Sequence, residues 1–165
     1  MLNRRVLSSV IAVLVVLGAA PSLAVGRAER NKALARRVFD EILNKGNYGL
    51  FGELYTRDFV KHVDRKDVPL EKEIEDAKGM RDASSDLVMT IDRMIAEGDL
   101  VAILVMGRGT STGPLQGMPP TGKKCVLSGM TLYRFSNGRI AEEWTFYNMR
   151  DLLRQLGYLN APPAN

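Results

Sequence analysis

Between Arg139 and Asn148 the chain reads as a strand, and a strand sends alternate side chains to one face. On that count Glu142, Trp144, Phe146 and Asn148 share a face, combining a carboxyl group, two aromatic rings and a carboxamide. If that face lines a cavity, it is a pocket wall for a small, largely apolar molecule. Glu142 is then a candidate general base, its pKa raised by burial against Trp144. Trp144, Phe146 and Asn148 are the candidate substrate-binding residues. His62, the only histidine, is the second catalytic candidate because imidazole titrates near neutrality. Asp58, a few residues earlier, is placed to orient it. The competing reading leaves Glu142 at a sheet rim and Trp144 in the core.

Other reactive side chains are less informative. Cys125 follows Lys123 and Lys124, cations that lower a thiol pKa, yet no partner spacing supports a nucleophile and a lone strand cysteine is usually a small hydrophobe. Tyr48, Tyr55, Tyr133 and Tyr147 each offer a hydroxyl to a ligand oxygen, and the sequence does not choose among them. One cysteine and one histidine make neither a disulfide nor a structural zinc site, so no metal is expected. Gly107-Arg108-Gly109 lacks the following helix that a phosphate-binding loop needs.

The elements that must position these residues follow from periodicity. Arg27–Lys45 has a helical stripe of Leu34, Val38 and Ile42, closed by Gly46, and Asn47 is placed to cap a short helix through Leu54. Phe59–Val63 reads as a brief extended segment. Lys61–Asp82 is thick with charges of both signs and reads as a solvated surface, with Leu70, Ile74 and Ala77 on the buried side of a helix. From Leu87 the period changes to two. Leu87–Glu97, Leu100–Gly109, Lys123–Ser136 and Arg139–Asn148 are strands, with Gly98-Asp99 and Asn137-Gly138 as turns. The Gly113–Gly122 loop reads as structural, its glycines and prolines fixing a turn between two long strands. Met149–Leu156 is again helical. Helices followed by a meander predict an α+β domain with helices packed on the concave side of a curved sheet, which encloses a cone.

The first residues carry a separate signal. Arg4 and Arg5 precede an uncharged stretch that runs to Ser22-Leu23-Ala24, the pattern of a secretory signal peptide cleaved after Ala24, with an uncleaved N-terminal anchor as the alternative. The domains expected are thus a leader over residues 1–24 and one folded unit over 25–165, exported to the periplasm or secreted. The full chain of 165 residues has a net charge of +4, and loss of the two leader arginines brings it to +2. No cluster of cations interleaved with aromatics remains, so nucleic acid is not an expected partner, nor is a membrane after cleavage.

Several segments occur in an order that resembles a known family. They are Thr90-Ile91-Asp92, Ala96-Glu97-Gly98-Asp99-Leu100-Val101, Gly109-Thr110, Gly117-Met118-Pro119-Pro120-Thr121-Gly122, Gly138-Arg139-Ile140-Ala141-Glu142-Glu143-Trp144 and Leu152-Leu153-Arg154-Gln155-Leu156-Gly157. Together they resemble the SnoaL-like polyketide cyclase (ester cyclase) family of the nuclear transport factor 2-like superfamily, over about residues 32–157. The resemblance implies a cone-shaped α+β fold and an intramolecular aldol ring closure by acid–base catalysis, with no metal or organic cofactor. It also implies a pocket position for His62. The family's catalytic aspartate stands in a Trp-x-x-x-Asp pattern, and here that place is Asn148, whose carboxamide has no accessible pKa and cannot be the general base, though it can orient a carbonyl or donate to an enolate oxygen. Ser111 and Glu143 stand where relatives often carry histidine.

Two kinds of function follow. The first is an exported, cofactor-independent cyclase, isomerase or ester hydrolase acting on a small carbonyl compound. The second uses the same cone without catalysis, as a binder of a small apolar molecule or as a homodimerisation module.

Overall fold

The computed structural model describes residues 20–63 and 65–160. The expected leader lies outside the described residues up to position 19. Helix α1 (Ala20–Arg37) widens into a π-helical turn over Val38–Leu43, where the Asn44 amide donates to the Phe39 carbonyl at 2.9 Å. Gly46 ends it at φ 72°, a conformation that favours glycine. A 3-10 turn (Tyr48–Leu50) leads into α2 (Phe51–Leu54), and Asn47 precedes it without the expected side-chain capping bond.

The strands are β1 (Tyr55–Val63), β2 (Lys66–Pro69), β3 (Val88–Glu97), β4 (Leu100–Thr110), β5 (Lys124–Ser136) and β6 (Arg139–Tyr147). Helix α3 (Leu70–Ala83) lies between β2 and β3, and α4 (Met149–Leu156) follows β6. β1 is longer than periodicity indicates, and β2 falls within the charged run, where no apolar alternation announces a strand. Asn137 and Gly138 turn the β5–β6 hairpin at φ 50° and 76°, as an Asn-Gly type I′ turn requires.

The six strands form one curved, unclosed sheet in the order β2-β1-β6-β5-β4-β3. All neighbours are antiparallel except β1 and β6, which run parallel with Lys61 opposite Glu143. The fold is α+β, with the N-terminal helices on the concave side. Val38, Phe39, Ile42 and Phe51 pack there against Met89, Val101, Ile103, Tyr133 and Ile140, all nearly inaccessible. Each such side chain contributes roughly 1.5–3 kcal/mol by leaving water. The Arg81 guanidinium fastens the layers, donating to the Leu43 and Asn44 carbonyls at 2.6 and 2.7 Å. The Asn44 side chain in turn bonds both the N–H and the C=O of Met89 on edge strand β3.

Candidate functional site

β6 decides which side chains enter the cone. Ala141 and Glu143 are buried, and Thr145 and Tyr147 follow on the same side, whereas Glu142, Trp144 and Phe146 alternate onto the convex face. The expected sharing of a face by Glu142, Trp144 and Phe146 is therefore observed, but that face is the outer one. Phe146 is 66% exposed and Glu143 only 3%. The carboxyl group inside the cone is that of Glu143.

Glu143 belongs to a buried polar cluster drawn from four elements. Lys61 Nζ, from β1, donates to Glu73 Oε2 of α3 at 2.7 Å and stands 3.3 Å from Glu143 Oε1 of β6. Thr145 Oγ1 donates to the same Glu143 oxygen at 2.5 Å, and Thr131 of β5 bonds Thr145 at 3.0 Å. The charged run Lys61–Asp82 is thus not wholly solvated, because Lys61 and Glu73 point inward. Glu73 sits on the helix stripe that also carries Leu70, Ile74 and Ala77, so its helical spacing was the available signal.

Two carboxyl groups and one ammonium share this interior, and their environment perturbs them strongly. Burial, with Glu143 nearby, pushes the Glu73 carboxyl up to about 8, so it holds a proton at neutral pH. Burial opposes the charge on Lys61, but Glu143 and Glu73 outweigh it and hold the ammonium above the ordinary lysine range. Burial, aided by the same carboxyl groups, raises the Tyr55, Tyr133 and Tyr147 phenols, which remain hydrogen-bond donors. A protonated carboxyl, an ion-paired carboxylate and a fixed ammonium are the components of acid–base chemistry without a metal.

An apolar cavity of about 70 Å³, lined by none of the cluster residues, is walled by Met80, Ala83, Leu127, Leu152 and Leu156 with Cys125 among its lining. Leu127 and Thr131 are both inward residues of β5, and Gly129 lies between them. A Cβ at Gly129 would meet Tyr147 Cδ1 at 2.4 Å, so the Tyr147 ring lies against the glycine, between cavity and cluster. Helix α3 serves both places, giving Glu73 to the cluster and Met80 to the cavity wall.

The family model for SnoaL-like polyketide cyclases matches residues 33–156. The chain belongs to this family. Among solved structures it is similar to AclR, a candidate hydroxylase from Streptomyces galilaeus, with a TM-score of 0.75 and 26% identity over 82% of this chain and 86% of that one. A candidate SnoaL-like polyketide cyclase from Jannaschia sp. CCS1 superposes at 0.73, with 23% identity over 82% and 95%, a likeness of fold. IdmH, a candidate polyketide cyclase from Streptomyces antibioticus, gives 0.69 and 26% identity over 77% and 98%. No curated protein matches the chain.

Within this SnoaL-like cone the remaining sequence candidates stand as follows. His62 lies on the convex face, its ring stacked on Trp144 at 4.7 Å. Its Nδ1 pairs with Asp67 at 2.9 Å rather than with Asp58, and its Nε2 is 3.7 Å from Glu142. Glu142 is lowered, not raised, because the Arg134 guanidinium bonds it at 2.5 Å. Asn148 is exposed and caps α4, its Oδ1 accepting from the Asp151 amide at 3.1 Å. His62, Glu142 and Trp144 are thus brought together outside the cone, while Phe146 and Asn148 stand apart from any enclosed cavity. The Cys125 thiol is raised by burial, with Asp86 adding to it, so the neighbouring lysines do not activate it. Among the described residues, no group of three or more His, Cys, Asp or Glu side chains is placed to hold a metal, and no helix is long and apolar enough to cross a membrane.

Proposed function

We propose that this SnoaL-like protein is a cofactor-independent acid–base enzyme, a cyclase or isomerase of a small carbonyl compound, working from the interior of the cone. The observation that carries this reading is the buried set Lys61, Glu73 and Glu143. Glu143, ion-paired with Lys61, takes a proton from carbon next to the carbonyl. Glu73, protonated at neutral pH, is the acid that returns one, and Lys61 offsets the negative charge that develops on the enolate. The apolar cavity receives the hydrocarbon part of the molecule. In this reading the work of the family aspartate, replaced by Asn148, passes to Glu143.

The test is deuterium incorporation next to the carbonyl of 2-tetralone in D₂O, followed by NMR. The wild-type protein should accelerate it, and Glu143→Gln should lower the acceleration by about 10²-fold or more. A wild type that binds 2-tetralone without accelerating exchange supports the non-catalytic binder instead.

A second reading concerns the convex face. Leu104, Met130 and Phe146 are direct neighbours across β4, β5 and β6, with exposures of 44%, 48% and 66%. Ile95, at 72%, extends the apolar surface on β3. A continuous apolar face of this kind supports a homodimer formed sheet to sheet, to be checked by sedimentation equilibrium. The leader-like residues 1–24 support export, which requires a mature chain whose N-terminus is Val25.

A further inference from the structure

The convex face carries a line of ionisable side chains that crosses four neighbouring strands. Asp67 on β2, His62 on β1, Glu142 on β6 and Arg134 on β5 follow one another in the order of the sheet. Asp67 stands directly opposite His62, and Glu142 directly opposite Arg134. His62 Nδ1 is 2.9 Å from Asp67 Oδ1, His62 Nε2 is 3.7 Å from Glu142 Oε2, and Arg134 donates to Glu142 Oε1 at 2.5 Å. The stack on Trp144 holds the imidazole in this line. Its Nε2 is shielded from water, yet it has no hydrogen-bond partner among the described residues. The line thus offers one carboxylate to each ring nitrogen. A neutral ring has a single N–H, so with that proton on Nδ1 the Nε2 lone pair faces a Glu142 oxygen. Glu142 stays ionised there, because the Arg134 guanidinium holds its carboxyl below the usual range. A protonated ring has an N–H for each carboxylate, and the charges then alternate from the sheet edge inward. Asp99 and Asp58 act on Arg134 from farther away, and Lys61, the neighbour of His62 on β1, points to the other side, into the cone.

We infer that His62 is a pH-operated clasp for β2: its protonated ring ties Asp67 to the body of the sheet, and loss of the proton loosens that strand. β2 is where a clasp has an effect. It spans only Lys66–Pro69, lies at the edge of the sheet paired with β1, and runs directly into α3, the helix that carries Glu73. Short edge strands open locally before the rest of a sheet does. Opening β2 separates Asp67 from His62, so the strand is held more firmly when that contact joins two charges. Imidazole changes charge between about pH 5 and 8, so the grip is present at the acid end and fades as pH rises. The clasp is independent of the acid–base reading of the cone interior.

Amide hydrogen exchange followed by NMR tests this, with protection of the β2 amides measured in wild type and His62→Gln at pH 5.5 and pH 8. Both proteins keep Glu73, so its titration cancels in the comparison. At pH 5.5 the β2 amides of His62→Gln should be about twofold to fivefold less protected than those of wild type. At pH 8 the two proteins should converge. Asp67→Asn, which leaves His62 and its stack in place, should show the same pattern. Equal β2 protection in wild type and His62→Gln at pH 5.5 would overturn the proposal. So would a loss of the same size at both pH values, which is what a purely structural role for the ring gives. Wild-type behaviour in Asp67→Asn would overturn it as well.

Discussion

Lys61 and Glu73 are joined at 2.7 Å between β1 and α3, with both side chains almost wholly withdrawn from water. The contact fixes a helix to the sheet by a hydrogen bond from the ammonium at the point where Glu143 also approaches it. Removing the cation should therefore be costly. Lys61→Met leaves two carboxyl groups facing each other without a counter-charge, and should lower stability by about 3–5 kcal/mol. Urea unfolding of the variant at pH 7 checks this, and a loss below about 1 kcal/mol would mean that the cluster is open to water. Converting Glu73 and Glu143 to Gln in the same chain should restore most of the loss.

The raised Glu73 pKa carries a pH dependence of definite sign. The group binds its proton more tightly folded than unfolded, so stability declines as pH rises between its ordinary value of 4.5 and about 8. Over that interval the contribution amounts to a few kcal/mol. Glu73→Gln should flatten the decline and leave the variant relatively more stable at pH 8 than at pH 5. Thermal unfolding of both proteins across this range is the measurement, and parallel curves would remove Glu73 as the source.

The convex face predicts a different class of variant. Met130→Asp places a charge in the centre of the row from Leu104 to Phe146 and should abolish self-association while leaving the fold intact. Trp144→Ala should weaken association and release His62 from its stack without changing binding of 2-tetralone inside the cone. Sedimentation equilibrium and ligand titration separate the two effects. A dimer unaffected by Met130→Asp would place the interface elsewhere.

Asn148 offers a test of position against chemistry. As the cap of α4 it should tolerate aspartate, which accepts the same Asp151 amide bond, whereas Asn148→Ala should cost about 1 kcal/mol. Asn148→Asp should add no carbonyl exchange activity, since the side chain points to the helix end rather than into the cone. A gain of activity in Asn148→Asp would show that α4 moves this residue into the site.

The fold was legible because local signals agreed with one another. Asn137-Gly138, the alternation in β4 and β5 and the stripe of Leu34, Val38 and Ile42 all pointed to helices on a curved sheet. The shared face of Glu142, Trp144 and Phe146 was also legible. Which face lined the cone was not, since a strand with aromatic residues on one side and Glu143, Thr145 and Tyr147 on the other gives no polarity rule that selects the inside. The site was hidden for a related reason. Lys61 and Glu73 resemble their exposed neighbours in composition, and only the β1–β6 pairing together with the docking of α3 turns them inward. Asp67 replaced Asp58 as the partner of His62 because the β1–β2 hairpin, unrecognised among the charges, sets Asp67 directly opposite His62.

The single parallel pairing, β1 beside β6, joins the first strand of the sheet to the last. The hairpins β3–β4, β4–β5 and β5–β6 can each form from adjacent segments, but β1 gains its parallel neighbour only when β6 is in place. Until then Lys61 and Glu73 have each other but no Glu143, and β1 presents an unpaired edge. Contact order therefore predicts that this seam closes late in folding. The step that completes the sheet is also the one that brings the third ionisable group into the cone.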